Sequence, residues 1–359
     1  MTFLPRRTIL KGGIALAAMP ALSGLALGQE KLKVGFAYLA VPGDYGWTYA
    51  HDQGANDLVE ALGDRVEVTK VENVGESGPN VERVLRELAQ QGHGLIFATT
   101  FGHMEAAVKV SAEFPDVIFE HCTGFKTGPN LGTYNARFYE GRAVIGTIAG
   151  HMSTAGIGGY IASFPIPEVV MGIDAFCIAA RKVNPDFTLR VIWLNTWFDP
   201  AKEADAARAL IDQGCDVITQ HTDSPAPIQV CEERGVIAFG QASDMSAFGP
   251  TACLTSIIDN WGPHYISATQ KVLDGTWAPA QPWEGLKEGV VEITPYTDRV
   301  PADVQAAADA VKQGQIDGTF HIFTGPINDK DGNVMVEAGV TPDDGFLLGL
   351  QTYAEGVQA

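Results

Sequence analysis

The sequence predicts an α/β protein made of two lobes, each a doubly wound parallel sheet, joined by a hinge. Three observations carry that expectation. Short β-rich runs alternate with amphipathic helical runs from Lys31 onward, and helices set between strands imply parallel βαβ crossovers. The alternation pauses and restarts at Ile157, so two similar units stand in series. A chain of 359 residues, 46% of them hydrophobic, has the length and apolar content for two ordinary cores.

In the first unit "KLKVGFAYLA" is an apolar strand, and "GWTYAHDQGANDLVEALGD" repeats its apolar positions at helical spacing. "RVEVTKVENV" is a strand, "PNVERVLRELAQQG" a helix stopped by Gly92, and "HGLIFATT" a buried strand. "HMEAAVKVSAEFP" and "VIFEHCTG" repeat the pair. The second unit runs through "IGGYIASF", "VVMGIDAFCIAARKVNP", "TLRVIWLN", "PAKEADAARALIDQG", "CDVITQHT", "APIQVCEERG" and "VIAFGQAS". Asp199 before Pro200 reads as a helix N-cap followed by a good first helical residue. A further long helix, "NWGPHYISATQKVLDG", precedes a turn, "TWAPAQPWEG", and the closing segment carries a DKDG hairpin signal. The expected division is residues 29–128 plus 255–284 for the first lobe and 129–254 plus 285–359 for the second.

Residues 1–28 differ in kind. "MTFLPRRTILKGGIALAAMPALSGLALG" has a basic start at Arg6, Arg7 and Lys11, a modest apolar run and a small-residue end, the pattern of a cleaved export signal. Arg6-Arg7 followed by "TILK" resembles a twin-arginine signal, with Pro5 where that consensus has Ser or Thr; an ordinary secretory signal is the alternative. No cysteine stands at its end, so no lipid anchor is expected there. No later run approaches the ~18 apolar residues of a membrane span, and a soluble periplasmic protein is expected. The net charge of −19 becomes more negative without the leader and disfavours nucleic acid and anionic membranes as partners.

Cys122, Cys177, Cys215, Cys231 and Cys253 are scattered and form no CxxC pair, so neither a zinc site nor a redox motif is expected. There is no Walker A loop, HExxH, GxSxG or strand-following GxGxxG. In open parallel sheets the loops after the strands form the binding crevice. Those tips are "VPGDYGWT", "ATTFGH", "EHCTGF", "SFPIPE", "NTWFDP", "HTDSPAP" and "GQASDM". They are rich in aromatics and poor in Lys and Arg, which argues against a phosphorylated ligand. Trp47 in one lobe and Trp197 or Phe198 in the other suit a clamp on a planar heterocycle. Tyr45, Thr48, Thr100, Phe101, Glu120, His121, Asn195, Asp223 and Asp244 are the other candidate ligand contacts.

These tips resemble the basic membrane protein family of ABC-transporter solute-binding proteins, a group that includes purine nucleoside receptors. The resemblance rests on "GDYGWTYAHDQGA", "FPDVIFEHCTG" after a "TTFG" tip, "FYEGRAVIGTIAG", "WFDPAKEADAARALIDQGCDVI" and "SIIDNWGPHYISATQKVLDGTW", in that order. It implies a type I periplasmic binding fold, a monomer that closes on a small solute and meets a membrane permease, and no cofactor or catalysis. Carried over, the family's stacking aromatics fall on Trp47 and on Trp197 or Phe198, and its base-recognising Asp falls near Thr123, beside Glu120 and His121. Two ribose-directed positions carry Ala242, with Asp244 nearby, and Asp259, so the implied ligand is a free purine base, adenine-like, rather than a nucleoside. The rival readings are a nucleoside, sugar or amino acid on the same fold, or an exported hydrolase using Cys122 with His121 or His103. A sensor partner in place of a permease is a further alternative.

Overall fold

The computed structural model describes residues 30–359, so the expected leader lies outside the described residues. The first sheet contains β1 (Leu32–Ala37), β2 (Val66–Val71), β3 (Leu95–Ala98), β4 (Ile118–Cys122) and β5 (Leu131–Ala136), in the order β5-β4-β3-β1-β2. The second contains β6 (Ile157–Ala162), β7 (Thr188–Trp193), β8 (Val217–His221), β9 (Ile237–Gly240) and β10 (Cys253–Asp259), in the order β10-β9-β8-β6-β7. Both sequences of five pair in parallel with the same topology. The restart at Ile157 is thus a structural repeat. β3 and β8 are buried along their whole length, as expected where helices cover both faces of a parallel sheet.

Short strands complete the edges. β11 (Trp283–Glu284) extends the first sheet beside β5; β12 (Val291–Ile293) runs antiparallel to β10. The DKDG turn joins β13 (Ile327–Asn328) to β14 (Val334–Val336), and β15 (Val357–Gln358) lies beside β7.

The helices are α1 (Gly46–Leu62), α2 (Pro79–Gln90), α3 (Met104–Glu113), α4 (Phe138–Met152), α5 (Pro167–Val183), α6 (Pro200–Asp212), α7 (Ala226–Arg234), α8 (Gly262–Leu273), α9 (Ala302–Ile316) and α10 (Asp344–Leu348). The Asp199 carboxylate caps α6 by accepting from the Lys202 N–H at 3.1 Å. α4 is buried almost throughout and packs on α5. Gly150 makes the close approach feasible, because a Cβ there would lie 2.6 Å from the Ala180 carbonyl oxygen. No described helix is long and apolar enough to cross a membrane.

The chain passes between sheets three times: after β5, after β10, and between β11 and β12. Two of the expected boundaries shift accordingly. β5, placed in the second lobe by a boundary at 128, belongs to the first sheet, because Phe119 to Cys122 pair with Leu131 to Tyr134. β10, which a boundary at 254 divides, lies whole in the second sheet beside β9. The helix after it, α8, returns to the first lobe and packs on α1.

Candidate functional site

The carboxyl ends of the strands of both sheets face one cleft, and the backbone is strained there. Among the described residues, four non-glycine residues have positive φ: Asn73 (54°), Thr123 (57°), Asn195 (52°) and Ala242 (60°). Each falls one or two residues after a strand, following β2, β4, β7 and β9 respectively. Left-handed backbone at non-glycine residues carries a cost and concentrates where function holds it in place.

Two neighbouring cavities occupy the cleft. The outer one, about 590 Å³, is lined in part by Val41, Tyr45, Thr48, Asn195, Phe198 and Glu76. The inner one, about 20 Å³, is nearly filled by its own walls: Thr100, Phe101, Thr123, Glu168, His221 and Gln241. Leu39, Trp47, Trp197 and Asp223 border both. None of the lining residues of either cavity is Lys or Arg.

The two tryptophans are held differently. Trp47 donates its indole N–H to the Thr99 carbonyl at 2.7 Å and packs edge-on against His51 and Trp261, with ring centroids 4.6 and 5.5 Å away. It is a fixed wall of the first lobe. Trp197 packs on Phe164 at 5.3 Å, and its side chain lies near the Glu76 carboxyl of the opposite lobe. The Glu76 carboxylate accepts from Thr100 Oγ1 (3.1 Å) and from the Gly102 N–H (2.9 Å). Phe198 is 49% exposed and reaches the outer cavity alone of the two.

The lobes meet at the start of α1. The Gly46 N–H donates to Ser243 Oγ at 2.8 Å, and the Trp47 backbone N–H lies near the Asp223 carboxyl. These are two of the donors that a helix N-terminus leaves without internal partners. Tyr45 crosses the seam to pack edge-on against Phe248, centroids 5.2 Å apart. Burial, with Glu203 and Asp259 nearby, pushes the Asp223 carboxyl well above the ordinary range.

Three sequence candidates fall outside both cavities. Glu120 is buried and accepts the indole N–H of Trp277 at 2.7 Å, so it anchors the loop before β11. His121 is buried with Nε2 bonded to the Thr100 carbonyl at 2.8 Å, and burial lowers its pKa to about 4. Its imidazole braces the β3 tip from behind. Asp244 is exposed and accepts from the Ser246 N–H at 2.9 Å. Against the hydrolase reading, Cys122 is fully buried and its thiol is pushed well above the ordinary range by that burial, which keeps it from the thiolate form a nucleophile needs. All five cysteines are free and buried.

Sequence reasoning missed Glu76, Glu168, His221 and Gln241. Beneath the pocket lies a buried charged layer. Arg142 of α4 donates to Thr219 Oγ1 at 3.2 Å and to Gln241 Oε1, and its guanidinium lies over the Tyr160 ring. Asp259 is buried, and neither of its carboxyl oxygens has a hydrogen-bond partner. Burial raises its pKa to about 7, with Arg142 opposing.

A family model described as ABC transporter substrate-binding protein, PnrA-like, matches residues 31–331. The chain belongs to this family. As a PnrA-like substrate-binding protein it is 55% identical to a purine-binding protein of Brucella abortus, over 96% of this chain and 98% of that one. It is 36% identical to a putative ABC transporter glucose-binding protein of Haloferax volcanii, over 82% of this chain and 75% of that one. A solved solute-binding protein from Aeropyrum pernix superimposes with a TM-score of 0.70 at 19% identity, covering 87% of this chain and 94% of its own. One from Conexibacter woesei gives 0.67 at 22%, covering 81% and 98%. These two establish the shared type I periplasmic binding fold.

Proposed function

We propose that this PnrA-like protein captures a purine nucleobase, adenine-like, in the periplasm and presents it to the permease of an ABC importer. The observation that carries the reading is that Trp47 of one lobe and Trp197 of the other border the same pair of cavities, with Glu168, His221, Asp223 and Gln241 around the inner one. Two indoles on opposing lobes suit a flat heterocycle, and buried polar groups suit its hydrogen-bonding edge. The absence of Lys and Arg from the lining favours a ligand without phosphate. Ala242 is buried and offers no acceptor for ribose hydroxyls, which favours a base over a nucleoside. The Brucella relative's description as purine-binding supports the same class.

The inner pocket is too small for a base as it stands, so binding requires the lobes to part and reclose over the ligand. Closure brings the α1 seam together and gives the permease a surface that differs from the open form. The second reading is a glucose-like sugar, favoured by the Haloferax relative and by the ability of indoles to stack on pyranose faces.

The test is a panel of purine bases, nucleosides, sugars and amino acids, read by intrinsic tryptophan fluorescence and thermal shift. Adenine is expected to respond at the lowest concentration. Equal binding of adenosine overturns the free-base reading, and a response to glucose with none to any purine replaces it with the sugar reading.

A further inference from the structure

Glu168 is the second residue of α5, after Pro167, and its side chain is 12% exposed. It borders the inner pocket and also a separate cavity of about 390 Å³ walled by Phe125, Pro282 and Trp283. It therefore stands where a base would present an edge. From β8, His221 Nε2 comes within 3.8 Å of its carboxyl, and burial, then Arg142, hold that imidazole well below its ordinary pKa, so it is neutral. Asp259 of β10, Cys122 of β4 and Tyr160 of β6 lie within electrostatic reach of it, and Asp223 of the loop after β8 shares its pocket. From β5 the Asn135 side chain lies near the carboxyl. The buried cation of this layer, Arg142, is engaged with Thr219, Gln241 and Tyr160. Among the described residues no Lys or Arg pairs with Glu168. An ionised carboxylate would stand beside two other acids with no counterion to balance it.

We propose that Glu168 reads the purine edge as a neutral carboxylic acid, donating through its O–H and accepting at its carbonyl oxygen. The pocket then selects an edge on which a donor and an acceptor stand side by side. This rests on the purine reading above and names the group that recognises the base. An ionised carboxylate offers acceptors only, whereas the neutral acid offers one of each. A 6-aminopurine presents the matching pair as its amino N–H and the adjacent ring nitrogen. Burial, then Asp259, raises the Glu168 pKa to about 8, so the acid form prevails at neutral pH and is lost above pH 8. A carboxyl kept neutral by its surroundings so that it can donate is an established device of buried sites.

The experiment is calorimetric titration of the purified protein with adenine from pH 6 to pH 9, for the unmutated chain, Glu168→Gln and Glu168→Ala. The unmutated protein is expected to hold its affinity to about pH 7.5 and then to lose up to about tenfold per pH unit above 8. Glu168→Gln carries the same donor and acceptor without a titrating proton, so its affinity is expected within several-fold of the parent and independent of pH. Glu168→Ala is expected to weaken binding by about 10- to 100-fold at pH 7. The proposal is overturned if Glu168→Gln binds as weakly as Glu168→Ala, if it keeps the parent's alkaline fall, or if the parent's affinity is flat to pH 9. Adenine binding equally well to Glu168→Ala overturns this inference and leaves the purine reading standing. Failure of every purine base to bind any of the three proteins overturns both.

Discussion

Gly46→Ala separates what the seam contributes to binding from what it contributes to folding. Gly46 opens α1 with φ of +79°, and a Cβ there would lie 2.9 Å from the Asp223 carbonyl oxygen and 3.2 Å from its Cβ. Two costs follow. The left-handed backbone penalises alanine by about 1–2 kcal/mol, and because α1 belongs to the first lobe whether the cleft is open or shut, this term lowers the melting temperature without touching affinity. The contact with Asp223 exists only when the lobes meet. Relieving it to ordinary carbon separations of about 3.5–4 Å pushes the lobes apart by several tenths of an ångström and loosens the 2.8 Å bond from the Gly46 N–H to Ser243. Overpacking of that order costs about 1–3 kcal/mol, so adenine affinity is expected to fall about 5- to 150-fold. Calorimetry gives the affinity, melting of the unliganded protein gives the backbone cost, and small-angle scattering of the saturated protein gives lobe separation. A lowered melting temperature with unchanged affinity would refute the reasoning, since it would mean that the liganded lobes do not meet at Gly46.

Trp197→Ala is expected to weaken adenine binding by about 1–3 kcal/mol, the range for stacking a base on an aromatic side chain, while Phe198→Ala, at an exposed ring outside the inner pocket, costs less than about threefold; the reverse ranking in a fluorescence or calorimetric titration would move the second jaw to Phe198. Stability should depend on pH with two opposing signs. Glu168 and Asp259, with folded pKa values raised to about 8 and 7 from 4.5 and 3.8, bind more protons folded than unfolded, so their contribution is lost as pH rises through those values. His103 and His121, lowered to about 4 by burial, bind fewer protons folded, and theirs is lost as pH falls from 6.5 to 4. The unliganded melting temperature is therefore expected to decline from pH 6.5 to 8, with a shallower slope in Glu168→Gln, and to be nearly flat from about pH 6 to about 4.5, where the two histidines and the two acids offset each other. Gly150→Ala, whose Cβ would strike the Ala180 carbonyl, should lower the melting temperature by an overpacking cost of about 1–3 kcal/mol and leave the adenine affinity of the folded protein unchanged.

The repeat of two parallel sheets was legible because helical and strand periodicities are local and each unit carries them in full. The crossings were less so, since nothing in "NLGTYNARF" marks β5 as the last strand of the first sheet; only its pairing with β4 does. At the site, Trp47 and Trp197 were legible as aromatics where turn residues are usual. Glu168 and His221 stood within the strand tips read from sequence, but no motif sets them apart, and their burial arises from the packing of α5 and β8 under the opposite lobe. Glu76 was invisible because "NVGESGP" reads as a solvent turn until Thr100 and Gly102 are brought to it. Glu120 and His121 misled for a simpler reason. They lie in a strand that ends at the cleft, yet their side chains are held by Trp277 and by the Thr100 carbonyl.

The seam contributes opposing terms to closure of the cleft. Ser243 satisfies the Gly46 N–H at the start of α1, a bond worth about 0.5–1.5 kcal/mol net because water takes the same donor when the lobes part. Tyr45 on Phe248 adds about as much again. Against these stands the burial of the Asp223 carboxyl beside Glu203 and Asp259, which disfavours its charged form. These terms oppose one another, and under the proposed function a base stacked between Trp47 and Trp197 adds its interaction energy to the closed side. Ser243→Ala tests this most cleanly, because Ser243 lines neither cavity and its hydroxyl serves the Gly46 N–H. Removing it strips one contact from the closed form alone. Apparent adenine affinity should fall about 2- to 12-fold, with the faster dissociation that a weakened closed state implies, while the adenine contacts themselves are untouched. If Ser243→Ala leaves both affinity and dissociation rate at their parental values, the seam does not contribute to closure and the balance has to be sought in the strand tips themselves.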